Sequence, residues 1–242
     1  MGNKRSGYAI RFDGLSLGYG GTMVISNLTA QAPGGKLTSL LGRNGSGKTT
    51  VLRAMVKHIL PISGAICIGG RDLGALDVSD LPRYLSYTPS EAGNVGLKCI
   101  DVVSSGKRHG SWINPKQALG ALKELAIPGL SNKQFDEIST GQKRLVLIAR
   151  AMAIGAPVAL FDEPTLGLDP SNRSSVVRAI KDMSARHGTT AIVATQDTGL
   201  AAMSDWLIAI KDGEAMASGP ARILTRKMLS MLYAVSEGGK SR

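Results

Sequence analysis

The chain has 242 residues, 43% of them hydrophobic and 4% aromatic, enough for one or two domains around a core of Ala, Val, Leu, Ile and Met and too apolar for a disordered chain. Lysine and arginine number 29 against 18 acidic residues, a net charge of +11 that favours an anionic partner such as a nucleotide, a nucleic acid or an acidic membrane face. The charges are scattered, without runs of five or six, so a solvated basic surface is the plainer account.

Two cysteines, Cys67 and Cys99, exclude a disulfide framework and fit a reducing compartment. The longest apolar run, 145–161, is broken by Arg150 and Pro157, short of the roughly 20 residues that cross a bilayer. No apolar stretch follows the basic start MGNKRSGY, so no secretory signal is expected. The 30 glycines exceed the usual share of about 7% and imply sites where backbone geometry matters.

Along the chain, residues 8–12 and 28–31 read as short strands between the turn signals at 18–21 and Pro33-Gly34-Gly35. Residues 37–41 (LTSLL) read as a buried strand feeding a glycine-rich loop. Residues 49–60 carry apolar side chains at 51, 52, 55, 56, 59 and 60, the period of a helix, up to Pro61. The middle, 81–133, holds YTPSEAG, a stretch 100–105 with apolar positions 100, 102 and 103, and a helix over 115–126, a helical subdomain set into an α/β core. From 141 a long helix, a strand at 158–161, a helix at 174–187 and a strand at 189–195 alternate as in a parallel, helix-covered sheet.

Residues 42–50 read GRNGSGKTT, and Gly42, Gly47, Lys48 and Thr49 fit the phosphate-loop pattern G-x-x-x-x-G-K-[ST]. Gly42, Asn44, Gly45, Ser46, Gly47 and Thr50 would turn backbone N–H groups inward around phosphates at a helix N-terminus, with Lys48 reaching the β- and γ-phosphates and Thr49 holding Mg²⁺. A chance glycine-rich turn would lack the strand before and the helix after. Residues 158–164 read VALFDEP. Alone, that acidic pair is usually a helix cap; beside a phosphate loop, Asp162 is placed to hold Mg²⁺ and Glu163 to act as general base toward the attacking water.

Between these motifs stands Ile138-Ser139-Thr140-Gly141-Gln142, followed by KRLVLIARAM. Phosphate loop, this motif and acidic strand, in that order, resemble the ATP-binding cassette (ABC) ATPases, whose hallmark is LSGGQ. The resemblance implies an α/β P-loop NTPase with a mostly parallel core sheet, an N-terminal antiparallel β subdomain and an inserted helical subdomain. The whole chain, 1–242, is then one ABC ATPase domain, with core and β subdomain over 1–88 and 143–242 and the helical part over about 89–142. It implies ATP and Mg²⁺ as cofactors, Tyr19 stacked on adenine, and Asp169 of LGLDP near the partner's nucleotide. It also implies a head-to-tail pair of cassettes, expected to be identical, in which Ser139, Gly141 and Gln142 of one face the phosphates bound by the other. GRDLGALDVSDLPRYLSYTP, IDVVSSGKRHGSW and the tail ending Leu232-Tyr233-Ala234-Val235 are similar to the ATPase subunits of importers for iron-siderophore, haem and cobalamin complexes.

The chain then serves a membrane importer from the cytoplasmic face of the inner membrane. Its segment 90–112 docks on transmembrane permease subunits, a substrate-binding protein takes part indirectly, and no nucleic acid is involved. The sequence departs from the family pattern at Ser90 (usually Gln, a Mg²⁺ contact that serine reaches only through water), Thr140 (usually Gly) and Gln196 (usually His). Gln196 can still hydrogen-bond a γ-phosphate but carries no positive charge, so hydrolysis is expected to be slowed by about 10²-fold or more. The alternatives are an exporter ATPase, or a nucleotide-binding subunit with little turnover.

Overall fold

The computed structural model describes residues 7–90, 93, 95–108 and 111–234. The expected absence of a signal at the start, Val235 of the tail, and residues 91, 92, 94, 109 and 110 of the docking segment lie outside the described residues.

Two sheets organise the chain. Strands β1 (Ile10–Tyr19), β2 (Thr22–Ala32), β4 (Ser63–Ile68) and β5 (Arg71–Asp72) form an antiparallel sheet in the order β2-β1-β4-β5. The core sheet runs β12-β11-β3-β10-β9-β6, from β3 (Leu37–Leu41), β6 (Leu85–Thr88), β9 (Val158–Asp162), β10 (Thr190–Thr195), β11 (Trp206–Lys211) and β12 (Glu214–Pro220). All its neighbours are parallel except β12, which returns antiparallel on β11. The expected α/β class with a mostly parallel core sheet and an antiparallel β subdomain is what the chain adopts.

The central strands are apolar on both faces, as burial under layers on each side demands. Val158, Leu160, Ile192 and Ala194 face a core shared with β1, β2 and helix α1 (Lys48–Met55). Ala159, Phe161, Ala191 and Val193 face helices α4 (Thr140–Ile154) and α5 (Pro170–His187). A separate core joins α2 (Cys99–Ser104), α3 (Pro115–Glu124) and the far face of α4 through Val103, Leu122, Phe135 and Val146. A small two-stranded ribbon, β7 (Lys107–Arg108) with β8 (Ser111–Trp112), stands beside it. Helices α6 (Thr198–Met203) and α7 (Arg226–Tyr233) cover β3 and β11, burying Met228 and Leu232 against Leu41 and Leu207.

Several boundaries differ from the sequence reading. β1 runs seven residues past Phe12 to Tyr19, because bulges at Phe12/Leu15 and Leu15/Leu17 break the alternation that marks a strand. The turn is Gly20-Gly21 alone, and Gly18 lies in the strand. Helix α1 stops at Met55 rather than near Leu60: Lys57 takes the left-handed conformation (φ 57°), its N–H donating to Ala54 O and that of His58 to Arg53 O, a Schellman closure made without glycine. The β11–β12 hairpin turns on Asp212 (φ 50°) and Gly213 (φ 82°), the Asp-Gly signal of a two-residue turn.

Candidate nucleotide site

Register brings the site together. In the parallel ladders Leu41 pairs with Thr195, and Ala194 with Asp162, so the loops leaving β3, β9 and β10 emerge at one end of the sheet, where open α/β sheets bind ligands. Gly42 N–H donates to Thr195 O at 3.3 Å, tying the first loop to the third.

The loop 42–47 turns through left-handed Gly45 (φ 80°) and Gly47 (φ 96°). A Cβ on Gly47 would lie 2.4 Å from Ile25 Cδ1, and one on Gly42 2.4 Å from Ser46 Oγ and 2.5 Å from Ile210 O, so glycine is demanded by conformation and by space. Gly47 caps α1 without any side-chain hydrogen bond, which leaves first-turn amides facing the loop, the arrangement that receives an anion. Ser46 Oγ is buried and lacks a hydrogen-bond partner among the described residues. The loop lines a cleft of about 270 Å³ with Val24, Asn44, Gly45, Lys48, Thr49, Thr50 and Glu163.

Two pairs set the electrostatics. Lys48, 5% exposed, donates through Nζ to Gly42 O and Arg43 O, both at 3.0 Å, and lies 3.4 Å from Glu163 Oε1. Thr49 Oγ1 donates to Asp162 Oδ1 at 3.0 Å. Burial pushes the Asp162 carboxyl up, against the Thr49 hydrogen bond and the charge of Lys48. Burial likewise pushes Glu163 up, against Lys48 and the Gln196 N–H. Tyr87, beside Asp162, is pushed up to about 12 by burial and by the carboxylate's charge, so its phenol is a neutral donor. Glu163 sits at φ 43°, a conformation that costs a non-glycine residue about 1 kcal/mol or more and that clusters at working sites. Its N–H donates to Ala194 O at 2.9 Å, and its Oε2 accepts from Gln196 N–H at 3.4 Å.

These residues suit a triphosphate with a small divalent cation. The loop amides, Lys48 and the Ser46 hydroxyl face a cleft that any Cβ at Gly42 or Gly47 would distort. Thr49 and Asp162 offer two hard oxygens side by side, the ligand type Mg²⁺ prefers. Among the described residues no group of three or more His, Cys, Asp or Glu could hold a metal ion, so phosphate and water oxygens would complete such a shell.

The other sequence candidates lie elsewhere. Ser139 caps α4 in a capping box, its Oγ accepting from Gln142 N–H at 3.3 Å while Gln142 Oε1 accepts from Ser139 N–H at 3.2 Å. Gly141 packs so closely on α5 that a Cβ would lie 2.5 Å from Asn172 Cγ. Asp169 caps α5, accepting from the N–H groups of Ser171 and Asn172 at 3.0 Å, which holds its carboxyl below the usual range. Ser139, Gly141, Gln142 and Asp169 therefore neighbour one another rather than the phosphate cleft of the same chain. Tyr19, at the end of β1, is 45% exposed and bonded to Arg53. Ser90 contributes its carbonyl, which with Pro89 O (3.3 Å) accepts from the buried guanidinium of Arg144 on α4; no hydrogen bond joins its hydroxyl to Thr49 or Asp162.

Arg144, Tyr87 and Tyr233 are site neighbours that sequence reasoning passed over. For Arg144 the local sequence offered no signal, since it follows Gln142 and Lys143 at the polar start of α4.

Comparison with known proteins agrees with this geometry. The family model described as "ABC transporter" matches residues 25–166. The achromobactin transport ATP-binding protein CbrD of Dickeya dadantii is 30% identical over 229 residues, 90% of this chain and 85% of that protein. The iron(3+)-hydroxamate import ATP-binding protein FhuC of Bacillus subtilis is 28% identical over 232 residues, covering 91% and 86%. Among solved structures, the dimeric bacterial ABC transporter cassette MJ0796 superposes with a TM-score of 0.78 at 25% identity, over 88% of this chain and 99% of that one.

Proposed function

This chain belongs to the ABC transporter family of ATP-binding ATPases, and from that premise we propose that it powers a membrane importer for an iron-siderophore, haem or cobalamin-type substrate. In this reading it works as one of two identical cassettes bound to permease subunits on the cytoplasmic face of the membrane, and a substrate-binding protein delivers the cargo. The import assignment is supported by the name of the iron(3+)-hydroxamate relative and by the tail and middle segments; among the described residues no helix is long and apolar enough to cross a membrane.

The observation that carries the mechanism is the pair of contacts Lys48–Glu163 at 3.4 Å and Thr49–Asp162 at 3.0 Å on one cleft. The loop amides of 42–50 and Lys48 bind the β- and γ-phosphates. Thr49 and Asp162 hold Mg²⁺, which supplies charge neutralisation on the phosphates when bound. Glu163, raised by burial, takes the proton of the water that attacks the γ-phosphate. Gln196 follows β10 beside Glu163 and donates to the γ-phosphate without a positive charge. Ser139, Gly141, Gln142 and Asp169 act on the nucleotide of the facing cassette, and Tyr19 lies against adenine. Ribbon β7–β8, with exposed Trp112 stacked 4.6 Å from Lys107 Nζ, lies in the segment that docks on the permease. The basic surface faces an anionic membrane.

The test is single-turnover ATP hydrolysis by the chain assembled with its permease. Slow but measurable phosphate release, accelerated in Gln196→His, supports the reading; tight ATP binding without release in either form would make the chain a nucleotide-holding scaffold. Co-purification with a permease whose ATPase rate rises with a loaded substrate-binding protein distinguishes import from export.

A further inference from the structure

Helix α7 ends on a contact that nucleotide binding does not use. Leu232 is fully buried and Met228 nearly so against β3 and β11, and Lys211 Nζ of β11 donates to Met231 O at 2.8 Å, fixing the helix end to the core sheet. From that anchored end the Tyr233 hydroxyl donates to the Gln196 carbonyl at 3.0 Å. Gln196 meets Glu163 through its own N–H at 3.4 Å, and Asp197 N–H is held by Thr195 Oγ1 at 2.9 Å. The backbone of Gln196 is thus gripped on one side by a helix from the end of the chain and on the other by the carboxylate at the cleft.

We propose that Tyr233 is a positioning residue for hydrolysis: its hydroxyl fixes the main chain of Gln196 and, through the Gln196 N–H, the carboxylate of Glu163. The inference rests on Glu163 being the group that takes the proton of the attacking water. A carbonyl only accepts, so the contact requires a protonated phenol; burial and the charges of Glu163 and Asp197 push Tyr233 up, which keeps that proton in place at neutral pH. Displacing a reacting group slightly lowers the rate without touching ground-state affinity.

A double-mutant cycle on the full-length chain tests this, with Tyr233→Phe, Glu163→Gln and the pair compared with the parent in single-turnover Mg-ATP hydrolysis, ATP affinity and melting temperature. Phenylalanine keeps the ring that packs beside Leu232, so Tyr233→Phe retains the fold and the parent's ATP affinity, with only the small drop in melting temperature that one lost hydrogen bond brings, while hydrolysis slows about 5- to 20-fold. In the Glu163→Gln background the same change has no further effect, since residues acting through one group are non-additive. An unchanged rate in Tyr233→Phe, or an equal loss in both backgrounds, overturns the role of Tyr233. Parent-like hydrolysis by Glu163→Gln overturns the assignment of Glu163 itself.

Discussion

The phosphate loop and the 138–142 motif both end on a helix N-terminus, and the two are finished in opposite ways. Helix α1 begins at Gly47 with no side-chain cap, leaving its amides to the cleft, while Lys48, Thr49, Asp162 and Glu163 interlock around it in a buried cluster. Helix α4 begins at Ser139 with a complete capping box, and Asp169 caps α5 just as fully. The first end leaves its amides open to the cleft, the arrangement that suits an anion. At the second, the N–H donors of Ser139 and Gln142 are already taken up by the capping box, yet the Ser139 hydroxyl, which accepts from Gln142 N–H, keeps its own proton to donate. In the proposed mechanism the first end binds nucleotide within one chain, and a second chain brings the Ser139 donor to the exposed side of the phosphates.

That contrast can be broken by substitution. Lys48→Ala removes the cation at the cleft and should give the largest loss, about 10³-fold in hydrolysis with ATP affinity weakened in the isolated chain; an affinity equal to the parent's would mean the loop does not hold phosphate. Ser139→Ala should cost about 1 kcal/mol of stability through the lost cap and slow hydrolysis about 10- to 100-fold, with the isolated chain's ATP affinity intact. A loss of affinity there as large as for Lys48→Ala would merge the two ends into one site.

The smallest effect concerns stability alone. Burial raises the Asp162 carboxyl in the folded chain, so the fold binds that proton more tightly than the unfolded chain. The resulting stabilisation is fully present below the ordinary carboxylate range and is lost as pH rises through the raised value. Asp162→Asn keeps an acceptor for Thr49 and removes the buried charge. Nucleotide-free Asp162→Asn should therefore melt higher than the parent at pH 7 to 8 and show a flatter pH dependence, as differential scanning calorimetry would register. A lower melting temperature across that range would mean the carboxylate is better compensated than its surroundings indicate.

Legibility followed range along the chain. The phosphate loop, the strand before it and the acids after β9 were readable because each is written in a few consecutive residues with a geometric reason for each glycine, lysine and acid. Strands β9 and β10 were readable because a doubly covered strand is a short apolar run. The second half of β1 was hidden by its bulges at Leu15, the end of α1 by a left-handed Lys57 that nothing in its type announces, and β12 by its small residues (EAMASGP), whereas β11 (WLIAIK) carries the same short apolar run as β9 and was passed over. In the site, the grip of Arg144 on Ser90 spans 54 residues and that of Tyr233 on Gln196 spans 37. Such contacts depend on how α4 and α7 lie against the sheet, which no local pattern encodes. The cassette residues were legible as a motif, and the family resemblance already implied that they act on a facing chain; what the fold added is their packing against Asn172 and the cap of α5.

The most direct test is complementation between Lys48→Ala and Ser139→Ala, each at about a tenth of the parent rate or less alone. In a head-to-tail pair, a mixed dimer holds one site with an intact phosphate loop and an intact facing Ser139. Mixing the two variants in equal amounts should then restore hydrolysis to about a quarter of the parent rate, as random pairing and one working site per mixed dimer require. A mixture whose rate equals the average of the two variants alone would contradict a nucleotide site shared between two chains.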